Sequence, residues 1–148
     1  MTSGGSIAFS FKSLTEYSSG KVLSNWTRLN IHYRDTSDVG GDGTSIGWKV
    51  MVRASAATIQ SDGAAPDLPL SSIQIKPTST IPGVSITNIT LTATDQNIIE
   101  GGDPGALPVT GEIVITYECG TPPAPPLLGR QPDYYFVDLI FTLVEVNP

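Results

Sequence analysis

One cysteine, one histidine and a charged fraction of only 15% leave this 148-residue chain few of the groups that chemistry needs. A lone Cys119 excludes an internal disulfide and a zinc site built from cysteines. It lies in phase with Ile113, Ile115 and Tyr117, as a small buried hydrophobe would. His32 falls on the polar side of an alternating stretch, with no partner at a catalytic spacing. No GxSxG elbow, HExxH pair, phosphate loop or dinucleotide fingerprint occurs. The carboxylate pairs Glu112 with Glu118 and Asp133 with Asp138 come nearest to a glycosidase dyad, which needs two acids about 5 to 10 Å apart. Fourteen acidic residues on a small surface generate such pairs by chance, so a protein that is not an enzyme is expected.

Other absences narrow the partners. The eight Lys and Arg are scattered and the net charge is -6, which disfavours nucleic acid held by phosphate neutralisation. No apolar run approaches the roughly 20 residues of a membrane-spanning helix. The start, MTSGGSIAFSF, lacks a charged segment followed by a long apolar one, so no signal peptide is expected; export by another route and prior removal of a leader both fit.

What the chain does have is alternation and punctuation. It is 39% hydrophobic, with Gly 15 and Pro 12, the profile of many short strands separated by turns. The longest apolar stretch, Tyr134 to Val146, places Tyr135, Val137, Leu139, Phe141 and Leu143 on one face of a strand. Its other face carries Phe136, Asp138, Ile140, Thr142, Val144 and Val146, too apolar for open water, so the strand is expected to be central or to face an interface. Similar alternation predicts strands over Ser6–Lys12 (Ile7, Phe9 and Phe11 inward), Trp26–Arg34, Ile46–Ala54 (Trp48, Val50, Val52 inward), Leu70–Lys76 and Gly111–Cys119. A slip of apolar phase between Ile86 and Ile89 predicts a bulge or bend near Thr87 and Asn88. Asp35–Gly47, Ser55–Pro69 and TPPAPPLLGRQP read as loops, Leu14–Ser24 as a loop or short ribbon, and Asn97–Gly102 as a turn or a single helical turn.

The fold expected is all-β: one antiparallel β-sandwich of Greek-key or jelly-roll type with seven to nine strands, occupying residues 1–148 after a flexible lead over 1–5. In the loop after the second strand, Asp35, Asp38 and Asp42 are the candidate ligands for a hard cation such as calcium, although their spacing departs from the EF-hand pattern. Trp26 and Tyr134 are candidate aromatic platforms for a glycan or other ligand.

The order FSF (Phe9–Phe11), GWKVMVRA (Gly47–Ala54), LPLSSIQIKP (Leu68–Pro77), GEIVITYE (Gly111–Glu118) and YYFVDLIFTLVEV resembles pilin-like β-sandwich domains of bacterial surface fibres, especially those of Bacteroidetes. The resemblance covers most of the chain but rests on strand patterns. It implies a structural subunit, extracellular on a cell-surface fibre or a virion, whose partners are copies of itself or related subunits. Assembly would use sheet edges or strand addition, with Ile7, Phe9, Phe11, Phe136, Ile140 and Val144 as the candidate contact residues. The alternative is a carbohydrate- or ligand-binding sandwich module that meets a cell-surface glycan.

Overall fold

Strands form where branched and aromatic residues alternate with polar ones, because that pattern suits a pleated ribbon with one buried face. A computed structural model describes residues 2–34, 47–102, 108–125 and 127–146. In chain order the elements are β1 (Thr2–Ser10), α1 (Leu14–Ser19), β2 (Lys21–Tyr33), β3 (Gly47–Ala54), β4 (Thr58–Ser61) and β5 (Leu68–Pro69), then a 3-10 turn at Leu70–Ser72. There follow β6 (Ile73–Ser79), β7 (Ser85–Ile86), β8 (Ile89–Thr90), β9 (Gln96–Gly102), β10 (Val109–Cys119) and β11 (Tyr134–Val146).

The strands make two antiparallel sheets. One has seven strands in the order β5-β4-β11-β3-β9-β7, with β1 paired to the other side of β11; the second has the order β2-β10-β6-β8. With β4, β5 and β7, which extend the larger sheet, set aside, eight of the described strands remain. In their own sequence order these run 1-8-3-6 in the first sheet and 2-7-4-5 in the second. That is the strand order of a jelly roll, in which the chain crosses repeatedly between sheets.

The core lies between the sheets and holds the residues that alternation assigns inward. Trp48, Val50, Val52, Ile73, Ile75, Ile113, Ile115, Tyr117, Tyr135, Val137, Leu139 and Phe141 are all buried. Gly101 has a packing role: a Cβ there would run into the indole of Trp48. One end of the sandwich is sealed by Phe11, Tyr17, Leu127 and Tyr135. The Phe11 and Tyr17 rings lie 5.0 Å apart, and the hydroxyls of Tyr17 and Tyr135 both donate to the carbonyl of Gln131, at 3.1 and 2.8 Å. The TPPAPPLLGRQP segment is therefore anchored through Leu127, which packs on Gly120 at a positive φ of 71° that favours glycine.

Several local expectations are corrected. Thr2 to Gly5, expected as a flexible lead, belong to β1, whose register with β11 runs from Thr2 opposite Thr142 to Ser10 opposite Tyr134. Leu14–Ser24 contains α1 and the start of β2: Ser13 caps the helix by accepting from the Glu16 amide at 3.2 Å, and Glu16 accepts from the Lys12 amide. Ser55–Pro69 contributes β4 and β5, with Ile59 and Leu68 fully buried. Asn97–Gly102 lies in strand β9, where the register shift opposite Val50 and Met51 lets the consecutive Ile98 and Ile99 both face the core. The phase slip near Thr87 and Asn88 is where the chain leaves the seven-stranded sheet at β7 and enters the other at β8.

Candidate functional site

β11 sits at the centre of the larger sheet, flanked by β1 on one side and by β3 and β4 on the other. Its inward side chains fill the core, so its even-numbered residues project outward. On that outer face Phe136, Ile140, Val144 and Val146 are half-buried and form a largely apolar stripe, interrupted by the exposed Asp138 between Phe136 and Ile140 and by Thr142 between Ile140 and Val144. Register sets the neighbours of the stripe: Ala8 lies opposite Phe136, Gly4 opposite Ile140, Met51 opposite Thr142 and Lys49 opposite Val144. Charge borders it, with Arg53 opposite Ile140 and held 3.5 Å from Asp95, and with Glu100 opposite Lys49. A largely apolar strip, broken once by a carboxylate and edged by charge, suits a protein-contact surface. Met51 and Val146 belong to it, and the outward phase of their strands was the signal that could have added them.

The other assembly candidates behave differently. Ile7, Phe9 and Phe11 are core residues of this chain, 2%, 1% and 3% exposed, with Ile7 opposite Val137 and Phe9 opposite Tyr135. What β1 leaves open is its outer edge. Among the described residues it pairs with β11 alone, and its backbone makes no further hydrogen bond to them until Ser10, whose carbonyl accepts from the Lys21 ammonium.

Between the sheets, at the end away from α1, an apolar cleft of about 350 Å³ opens among Leu29, Ile31, Val50, Phe141 and Leu143, with Arg28 and His32 at its rim. Arg28 is engaged there by Glu112 at 2.8 Å. The cleft can take an apolar group but presents no cluster of catalytic side chains among the described residues.

Trp26 and Tyr134 are exposed, 58% and 48%, but they stand on different sheets and form no joint platform. Trp26 lies in a bulge of β2: Leu23 is opposite Tyr117 and Thr27 opposite Ile115, so three residues of β2 face the single Thr116. The Thr116 hydroxyl accepts from the amide of Asn25, which has a positive φ of 51°. Asp35, Asp38 and Asp42 lie outside the described residues, as does Ile46; among the described residues no group of three potential ligands converges as a metal site would.

The carboxylate pairs are too far apart for a dyad. Glu112 and Glu118 are six residues apart on one strand, a span of about 20 Å, and Asp133 and Asp138 about 17 Å. Each of three acids has its own partner instead: Glu112 has Arg28, Glu118 has Lys76 at 2.7 Å, and Asp133 accepts from the Ser61 hydroxyl and the Tyr134 and Ala65 amides. The Ser61 hydroxyl, followed by the Tyr134 amide, holds the Asp133 carboxyl below its ordinary range. Cys119 is fully buried, and burial pushes its thiol up to about 12, far from a nucleophile at neutral pH.

Comparison with known proteins finds no matching family model, no matching curated protein and no matching solved structure.

Proposed function

We propose that this chain is a non-catalytic structural subunit of an extracellular protein assembly, a surface fibre or a virion component, which associates through the outer side of its seven-stranded sheet. The observation that carries this proposal is the set of Phe136, Ile140, Val144 and Val146 on the outer face of a strand whose opposite face already fills the core, with Asp138 the one charge among them. Side chains of that size are not needed outside for folding, and burial against a neighbour would contribute about 25 cal/mol for each Å² of apolar surface covered. Jelly rolls serve as capsid subunits and as lectins alike, so the fold by itself ranks neither role. The strand-pattern resemblance to pilin-like domains points the same way as the stripe.

The test is the size of the native particle. Sedimentation velocity and negative-stain microscopy should find oligomers or filaments that survive 1 M salt, at which exposed charge pairs are screened to about 3 Å. Ile140→Lys should disperse them while circular dichroism stays unchanged. A second proposal, a glycan-binding module, draws support from the exposed Trp26 on its bulge. A monomer at all concentrations that is retained on a polysaccharide column, and released by Trp26→Ala, would favour that module and overturn the structural subunit.

A further inference from the structure

Both sheets have edges, and among the described residues most of the edge strands are blunted. β5, β7 and β8 are two residues long, and β5 ends in proline. β2 is long, but the bulge at Ser24–Trp26 interrupts its register, and Lys21, Arg28 and His32 lie along it. These are the devices that keep sheet edges from pairing with other chains: shortness, proline, bulges and charge. β1 has none of them. It runs nine residues with no charged residue and no proline, its register with β11 is unbroken, and among the described residues hydrogen bonding satisfies only one of its sides over residues 2–9.

We infer that the outer edge of β1 is a pairing seam for β1 of a second copy of this chain, antiparallel across a two-fold axis; this rests on the structural-subunit proposal and names its partner. A copy of itself suits this edge for reasons of charge and shape. The strand is uncharged, so its copy meets no like charge across the seam even though each chain carries -6. Its charged neighbours, Lys12, Glu16 and Lys21, gather at the C-terminal end, with Lys21 3.1 Å from Glu16. Antiparallel pairing sends the two clusters to opposite ends of the seam, whereas parallel pairing would set them side by side. Gly4, Gly5, Ser6 and Ala8 are small, so the outer face above the seam would carry no bulky side chain. Pairing would make one continuous sheet, with the two β11 strands about 14 Å apart at the usual strand spacing. The two apolar stripes would then form a single face over a floor of small residues.

Ser6 is exposed, opposite Asp138, so Ser6→Lys adds an edge-blocking charge without touching the core. Sedimentation velocity of the full chain should show wild-type dimers, with Ser6→Lys weakening dimerisation at least tenfold at an unchanged urea midpoint. Single cysteines at Ser6 and at Ala8 are a second readout: under mild oxidation, whichever lies nearer the axis should cross-link to its own copy. Thr90→Cys, on the two-residue edge of the other sheet, should not cross-link. Full-strength association of Ser6→Lys with neither cysteine cross-linking would overturn the seam, and the subunit proposal would survive if Ile140→Lys still disperses the particle. A wild-type chain that stays monomeric at several hundred micromolar would overturn both.

Discussion

Truncation of Phe9 separates a first strand that belongs to its own sandwich from one held out for a neighbour. Phe9 is 1% exposed, lies opposite Tyr135 and has its ring 6.5 Å from that of Phe11. Phe9→Ala removes the ring and leaves a hole that the flanking strands only partly close, a change that costs about 3 to 5 kcal/mol. A chain of this size unfolds with a urea dependence of about 2 kcal/mol per molar, so the midpoint should fall by about 2 M. The melting temperature should fall by roughly 10 °C. Tryptophan fluorescence in a urea titration is the assay, since Trp48 is buried at 1% exposure and will report core opening. An unchanged midpoint, within about 0.3 M, would refute the reasoning. It would mean that β1 does not contribute its side chains to this core, and loss of assembly in the same variant would show the strand to be donated.

Three further outcomes are expected. Gly101→Ala drives a methyl group into the Trp48 indole and should cost at least about 1 to 3 kcal/mol in the same titration. Cys119, with its thiol pushed up to about 12 against an ordinary 9.0, should react with a thiol reagent at pH 8 about a thousandfold more slowly than a free cysteine until urea opens the core. Asp133, held below its ordinary 3.8 chiefly by the Ser61 hydroxyl, contributes stability that is complete above that value and is lost as pH falls through the lowered folded value. Urea midpoints taken between pH 5 and pH 2 should therefore decline in acid, and in Asp133→Asn they should start lower and decline less.

Much of the core was legible in advance because burial on one face of a strand writes itself as a period of two. Ile113, Ile115, Tyr117 and Cys119 in β10, and Tyr135, Val137, Leu139 and Phe141 in β11, are buried as their phase requires. The misses share a different cause. β4, β5, β7 and β8 are too short to show a period, and pairing with another strand holds each in place. Ile98 and Ile99 sit side by side in sequence, which no alternation allows, and only the bulge against β3 turns both inward. α1 did carry a local mark, Ser13 followed three residues later by Glu16, but its six residues are too few for a helical period.

Composition and alternation were enough by themselves to determine an all-β chain with one buried face per strand, because a side chain's direction along a strand depends only on its own position. Which strands lie at an edge, and which outer faces stay open, depends on pairings between residues more than a hundred positions apart, such as Ser3 with Phe141. Those pairings are non-local hydrogen bonds that the order of residues along the chain does not encode one strand at a time. Only the tertiary structure therefore made β1 an unguarded edge and brought Phe136, Ile140 and Val144 to the middle of an exposed sheet.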